Sequence, residues 1–269
     1  MYEFLNMLDA QMETPAPYGV FHLSAFAAVI LITVLLCVKG RDVKDGAFRG
    51  ICAFAWAVLI VFETYKQINF SFNYNGGEPY WDYQWYAFPF QLCSAPIYIL
   101  PFVFLSREGS AVRQATVAFM GTYVLFAGLA VMFYPVSVFI TTVGINIQTM
   151  VWHGTQVILG CFFLTRYRKE LSARFFARGI FVFLLMVGAA LALDMLIPNI
   201  TDETFNMYYI SPKFPSTLPI LSMLYGETPV VPWWLFLVIY LVGYTIAAFL
   251  VFIAAKWLAG SKRGKKKKA

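Results

Sequence analysis

Long apolar runs alternate with short polar segments along the whole chain, and each run has about the length of a membrane-spanning helix. A helix needs roughly 20 mostly apolar residues to cross a hydrocarbon layer about 30 Å thick. Backbone groups in lipid must be hydrogen-bonded internally, so each run is predicted to be helical. The pattern predicts seven spans, at residues 19–38, 51–68, 87–105, 114–133, 147–165, 179–197 and 233–256.

The basic residues predict how these spans are oriented. With the N-terminus outside, the inner segments are 39–50, 106–113, 166–178 and 256–269. These segments hold every Lys and Arg of the chain except Lys66 and Lys213. Such a bias toward one side is typical of cytoplasmic loops. The sequence therefore predicts an all-α, polytopic membrane bundle of seven transmembrane helices, with the N-terminus outside and the C-terminus inside.

The composition agrees with this class. Of the chain, 60% is apolar and 13% is charged, whereas about a quarter of a soluble domain is charged. No shift in composition marks a second domain, so residues 1–260 are predicted to form one domain and residues 261–269 a basic cytoplasmic tail. The net charge of +6 clusters beside the spans, which favours contact with membrane lipids over nucleic acid.

Two outer segments have apolar stretches that are too short to cross a membrane. Segment 198–232 is rich in Pro, Asn and aromatic residues and is predicted to fold back as a lid. Segment 134–147 is ambiguous in the same way, and one interpretation is that it dips into the membrane without crossing.

Polar and ionisable side chains in the spans gather near the predicted outer ends. Such groups are costly in lipid and usually face the bundle interior or a water-filled cavity. We predict a shared cavity there, while isolated interfacial residues or interhelical hydrogen bonds are the alternative. The candidates are His22, Glu63, Gln91, Cys93, His153 and Asp194, with Gln156 on the helical face of His153.

Cys93 is the candidate nucleophile. It lies in FPFQLCSAP between Pro89 and Pro96, which perturb the helix, while the other cysteines lie in apolar surroundings. A thiol there is reactive if a base such as His153 reaches it. The four cysteines form no CxxC pair, so we expect neither a metal nor a cofactor.

Several motifs carry a resemblance to a known family. The segments FPFQLCSAPIYIL, TMVWHGTQVIL, FNMYYISPK and ETPVVPWW resemble, in order and spacing, the conserved segments of the YwaF-type integral membrane proteins. That family is similar to the vertebrate transmembrane ether-phospholipid acyltransferase. The resemblance implies a bacterial cell membrane, Cys93 as nucleophile and His153 as general base. It also implies that Asn206 and Tyr208 belong to the shared outer segment. Where the family often has a histidine, this chain has Gln91.

The leading hypothesis is a cysteine-dependent acyltransferase or acyl hydrolase that acts on phospholipid from the outer side. The alternative is a non-enzymatic transporter, or a protein that binds a small solute or protons. In that case Glu63, Asp194 and His153 would line the path.

Overall fold

A computed structural model describes residues 6–73, 79–136, 138–201 and 203–266. In those ranges the chain forms seven longer helices, joined by short turns and one two-stranded hairpin. The helices are α1 (Val20–Lys39), α2 (Asp45–Ser71), α3 (Ala95–Leu105), α4 (Ala111–Phe133, π-helical at Met120–Val124), α5 (Val143–Arg166), α6 (Ala173–Leu196) and α7 (Trp233–Lys266). The hairpin pairs β1 (Phe72–Asn73) with β2 (Tyr80–Trp81) in antiparallel register.

The all-helical membrane class is confirmed, with a difference in the predicted third span. Six helices are long and apolar enough to cross a membrane, whereas the third span contains a shorter apolar segment, Leu92–Leu105. Residues 88–91 are not helical. The cause is local: Pro89 and Pro96 lack a backbone N–H, and Pro96 lies in the first turn of α3, where proline is tolerated.

Residues 141–143, at the start of α5, lie against the N-terminal residues. The backbone N–H of Met12 donates to the carbonyl of Thr141 at 2.7 Å, and that of Val143 donates to Ala10 at 2.9 Å. The Tyr65 hydroxyl of α2 donates to the Leu8 carbonyl at 2.7 Å. These bonds tie the start of the chain to the ends of α2 and α5.

Helix α5 lies in the interior of the bundle and is approached closely by its neighbours. A Cβ atom at Gly154 would lie 2.5 Å from Cγ2 of Val29 in α1. A Cβ atom at Gly128 of α4 would lie 2.8 Å from Cβ of Gln156. Because glycine lets helix backbones approach each other, α1 and α4 pack tightly against the face of α5 that carries its polar residues.

Three of the predicted inner segments meet at one end of the bundle. Arg113 of α4 is fully buried and bonds Asp45 at the start of α2 and the carbonyl of Ser106 after α3. Arg49 donates to the same carboxylate at 2.6 Å and to the same carbonyl at 3.0 Å. Arg168, after α5, bonds Asp42 at 2.8 Å. The basic segments therefore share one end, as a common membrane side requires.

Helix α7 continues to Lys266, so its backbone extends into the predicted tail at 261–269. Residues 267–269 of that tail lie outside the described residues.

Candidate functional site

A short 3-10 turn, Leu92–Ser94, carries Cys93 into the bundle just before α3. The Cys93 carbonyl accepts two hydrogen bonds from α5, from Nε1 of Trp152 and from Nε2 of Gln156, each at 2.8 Å. Trp152 and Gln156 are four residues apart, so they lie on one face of that helix. The backbone that carries the thiol is therefore fixed against α5 at the level of His153.

The His153 side chain is 7% exposed, and its Nδ1 lies 2.8 Å from the carbonyl oxygen of Thr149. A carbonyl oxygen can only accept, so in the neutral ring the proton lies on Nδ1 and Nε2 keeps its lone pair. Within the described ranges, Nε2 has no hydrogen-bond partner, and no hydrogen bond joins this ring to the Cys93 thiol. The imidazole is thus oriented by its own helix with its basic nitrogen unoccupied.

An ion pair of α2 lies beside this group. Nζ of Lys66 is 2.8 Å from Oε1 of Glu63, which also accepts from Nε2 of Gln67 at 2.7 Å. The charge of Lys66 is close enough to interact with both Cys93 and His153. Glu63 is therefore paired with Lys66 and lies close enough to the Cys93 turn to interact with it electrostatically, while Gln156 contacts that turn from the helix that carries His153. Oε2 of Glu63 is buried, with no partner among the described residues.

The segment between α6 and α7, residues 203–232, is docked onto this group and is called here the cover segment. Gln91 holds it from the turn, since its Nε2 donates to the Asn206 carbonyl at 2.9 Å and its Oε1 accepts the Tyr208 N–H at 2.6 Å. Asp194 holds it from α6, where Oδ1 accepts the Met207 N–H at 2.6 Å. The predicted site residues Gln91, Asp194, Asn206 and Tyr208 therefore meet in one interface.

The cover segment is also bonded within itself and to α7. Oδ1 of Asn206 accepts the Ser211 N–H, and its Nδ2 donates to the Pro215 carbonyl, each at 2.9 Å. The indole of Trp233 donates to the Ile210 carbonyl at 2.9 Å. Asn206 thus stabilises the shape of the cover segment instead of pointing toward the thiol.

His22 occupies a different environment from the other candidates. Its Nδ1 accepts the Tyr18 N–H at 3.0 Å, and its Nε2 lies 3.0 Å from the Met132 carbonyl. Phe26 and Phe139 pack edge-on against the ring. Because both nitrogens are occupied in joining α1 to the end of α4, we do not include His22 in the proposed catalytic group.

Sequence reasoning missed three aromatic residues of the site. Trp152 fixes the Cys93 carbonyl, and Tyr209 and Tyr244 lie close enough to interact electrostatically with the thiol. Burial raises the pKa of Tyr209 to about 12, so this hydroxyl stays neutral. The spacing of Trp152 from Gln156 was the one available signal. Tyr209 lies in an outer segment whose aromatic residues predict only an interfacial belt, and Tyr244 lies midway along the seventh predicted span.

We expect Gln91→Ala to loosen the cover segment. The substitution leaves the Tyr208 N–H and the Asn206 carbonyl without their partners, and each buried unpaired group costs about 1–3 kcal/mol. Since 1.4 kcal/mol corresponds to a factor of about ten in an equilibrium constant, hydrogen exchange over residues 204–212 should quicken at least about tenfold. Mass spectrometry of the protein in detergent measures this.

Gln84→Ala is the matched control, because among the described residues the half-buried Gln84 side chain bonds only Asp82, in its own loop, through solvent-exposed hydrogen bonds. It should leave exchange over residues 204–212 unchanged. Equal protection in the Gln91→Ala and unsubstituted proteins would show that the side chain does not hold the cover segment.

Among the described residues, no three His, Cys, Asp or Glu side chains gather closely enough to hold a metal ion.

Comparisons with known proteins assign the chain to a family. No curated protein and no solved structure matches the chain. The model of the TMEM164 family matches residues 17–256, which include every site residue described above. The chain therefore belongs to the TMEM164 family, a family of transmembrane proteins.

Proposed function

We propose that the protein is a membrane-embedded acyltransferase or acyl hydrolase that uses Cys93 as its nucleophile on phospholipid. The observation that carries the proposal is the attachment of the Cys93 turn to Trp152 and Gln156, which flank His153 on α5. Nε2 of His153 has no hydrogen-bond partner among the described residues. The sequence resemblance to YwaF-type proteins and their acyltransferase relative points to the same pair of residues.

The surroundings of Cys93 make it a better candidate for the nucleophile than Cys52 or Cys161. Cys93 is partly exposed and lies on a turn that interrupts helical structure, whereas Cys52 is fully buried within α2. Cys161 is also partly exposed, but it lies in the inner half of α5, among apolar residues. A reactive cysteine needs both access and a base, and Cys93 has a histidine on the adjoining helix.

The chemistry divides acyl transfer into two steps. Nε2 of His153 takes the thiol proton as Sγ attacks the ester carbonyl carbon of a phospholipid. The ester bond then breaks, the released lipid alkoxide takes the proton from His153, and an acyl-cysteine remains. A hydroxyl of a second lipid, or water, repeats the sequence in reverse and frees the thiol.

The cover segment gives this intermediate its protection. It is bonded to the Cys93 turn through Gln91 and to α6 through Asp194, so it closes the site on the predicted outer side. Exclusion of water from a closed site slows hydrolysis of a reactive intermediate. The balance between transfer to lipid and hydrolysis thus depends on how tightly the cover segment is docked.

The proposal includes the seven-span topology with the N-terminus outside. The segment Leu92–Leu105 would complete the crossing together with the irregular backbone at residues 85–91. Non-helical backbone is tolerated at membrane depth where protein surrounds it. Gln91 and the carbonyls of Ala87 and Cys93 have such protein partners.

The test is trapping of the acyl-cysteine. The protein in liposomes is given a phospholipid with an alkyne-tagged acyl chain, quenched with acid and probed for a label that hydroxylamine removes. We expect labelling of the unsubstituted protein and of Cys161→Ala, which removes a partly exposed cysteine of α5 as a matched control. Cys93→Ala should abolish it. Labelling that survives in Cys93→Ala rules the proposal out.

The buried carboxylates favour a second candidate function, binding or transport of a solute or protons. Oε2 of Glu63 and Oδ2 of Asp194 are buried without partners among the described residues. At the inner end, the bundle is filled by fully buried Phe48, Arg113 and Phe162, which argues against a continuous path. Uptake into liposomes that survives Cys93→Ser and fails with Glu63→Gln would favour this function over the enzyme.

A further inference from the structure

The Tyr208 hydroxyl is buried with no hydrogen-bond partner in the described part of the chain. Its side chain is 1% exposed. Nearly all buried polar groups in folded proteins are hydrogen-bonded, because an unpaired one costs free energy. A buried hydroxyl that no protein group satisfies is therefore a candidate donor to a ligand.

The backbone at this position is strained as well. Tyr208 and Tyr209 have φ values of 56° and 57°, in the left-handed region that non-glycine residues rarely occupy. Such strain persists only where surrounding structure imposes it, and it clusters at functional sites. Here the bonds of Met207 to Asp194, of Tyr208 to Gln91 and of Trp233 to Ile210 impose it.

These bonds place the Tyr208 ring beside the nucleophile. Gln91, which accepts the Tyr208 N–H, is two residues before Cys93 on the same turn. The Tyr208 ring packs near Phe90, with centroids 6.2 Å apart. Its hydroxyl lies close enough to the Cys93 thiol to interact with it electrostatically. The conformation of the cover segment thus holds an unsatisfied donor in the neighbourhood of Cys93.

We propose that the Tyr208 hydroxyl is a catalytic donor that binds the oxyanion formed when Cys93 attacks the ester of an acyl lipid. This inference rests on the proposed function and adds a residue to its site. It requires the acyl ester of the lipid as the group attacked, because that carbonyl develops a negative oxygen during attack.

This attack requires only the lipid ester, the Cys93 thiol, His153 and Tyr208. A lone pair of the sulfur forms the S–C bond, and the π electrons of the carbonyl move onto its oxygen. That oxygen then accepts a hydrogen bond from the Tyr208 hydroxyl. When the pair returns, the C–O bond to the lipid breaks and its alkoxide takes the proton that His153 removed from the thiol. Tyr208 donates a hydrogen bond throughout and transfers no proton.

The Gln91 amide and the Tyr123 hydroxyl are less suited to this role. One N–H of the Gln91 amide is held by the Asn206 carbonyl, and its oxygen is held by Tyr208. The hydroxyl of Tyr123, a second fully buried tyrosine, is 3.0 Å from Oγ1 of Thr245. Burial raises the pKa of Tyr208 well above its ordinary value, which keeps the hydroxyl protonated as a donor.

The experiment compares Tyr208→Phe with Tyr123→Phe in liposomes that contain the tagged phospholipid. The single-turnover rate of Cys93 acylation should fall about 10²–10³-fold in Tyr208→Phe, the usual effect of removing one oxyanion donor. It should be unchanged in Tyr123→Phe. Alkylation of Cys93 by iodoacetamide, which forms no oxyanion, should proceed at the same rate in both variants and in the unsubstituted protein.

Two results would overturn the inference in distinguishable ways. An unsubstituted protein that is never acylated at Cys93 removes the proposed function and this inference together. Acylation of Tyr208→Phe at the unsubstituted rate removes this inference alone. If Tyr208→Phe does not fold, 2,3-difluorotyrosine at position 208 provides a more acidic hydroxyl of similar size, and an acylation rate unaffected by that change removes the inference equally.

Discussion

Replacing His153 with glutamine is expected to slow acylation of Cys93 by about 10²–10⁴-fold, the usual contribution of a general base. Glutamine retains hydrogen-bonding capacity at this position but cannot take the thiol proton. The Thr149 carbonyl orients the imidazole so that Nε2 is the basic nitrogen. The single-turnover acylation rate with tagged phospholipid measures the effect.

His22→Gln is the matched control, since His22 and His153 are the two histidines of the chain. Both nitrogens of His22 are occupied by backbone groups, so this substitution should lower the thermal midpoint while the acylation rate is retained. A His153→Gln protein that acylates at the unsubstituted rate would exclude this residue as the base.

Among the proposed substitutions, Asp45→Ala is expected to lower the free energy of unfolding most. Arg113 is fully buried, and removal of its carboxylate partner leaves a buried, uncompensated charge. Breaking such a pair costs about 3–5 kcal/mol. We expect about 3 kcal/mol here, the low end of that range, because the Asp45 side chain is 25% exposed. The thermal midpoint of unfolding in detergent should fall accordingly.

Asp42→Ala provides the contrast at the same end of the bundle. The Asp42 carboxylate is 62% exposed and pairs with Arg41 and Arg168. The hydrogen bond from Arg168 lowers the pKa of Asp42, but water screens an exposed pair and leaves it little net effect on stability. A midpoint that falls as far in Asp42→Ala as in Asp45→Ala would refute the idea that burial of Arg113 makes the difference.

The features of the fold that the sequence predicted are those that depend only on whether a segment lies in lipid or in water. Apolar length indicates where helices lie, because lipid demands internal backbone bonding. The grouping of basic segments anticipated that Asp45, Arg113 and Arg168 would lie at one end. The ends of the helices were less predictable, since α2 begins at Asp45 and α7 continues to Lys266 beyond their apolar cores.

The third span shows where solvent-based reasoning fails. Residues 87–91 are as apolar as a helix requires, but Pro89 removes a donor, and the backbone there bonds to side chains of other helices. Gln67 satisfies the Ala87 carbonyl, and Trp152 satisfies that of Cys93. These partners lie far away in the sequence, and a single sequence does not show which distant residues form hydrogen bonds with each other.

The sequence predicted a set of site residues but not their arrangement. Polarity within apolar runs identified Gln91, Cys93, His153 and Asp194. It could not show that Gln91 would bind backbone groups 115 and 117 residues away. Nor could it show that Tyr208 would adopt a positive φ, which only tertiary contacts impose.

The turn before α3 is held at both ends by different parts of the molecule. Its Gln91 side chain is bonded to the cover segment, and its Cys93 carbonyl is bonded to α5. Under the proposed mechanism, lifting the cover segment to admit a lipid would therefore pull on the same short piece of chain that positions the sulfur. Lipid entry and nucleophilic attack would then exclude each other in time: the Cys93 thiol would be aligned only after the cover segment has closed, and bulk water would reach it only when it is out of position.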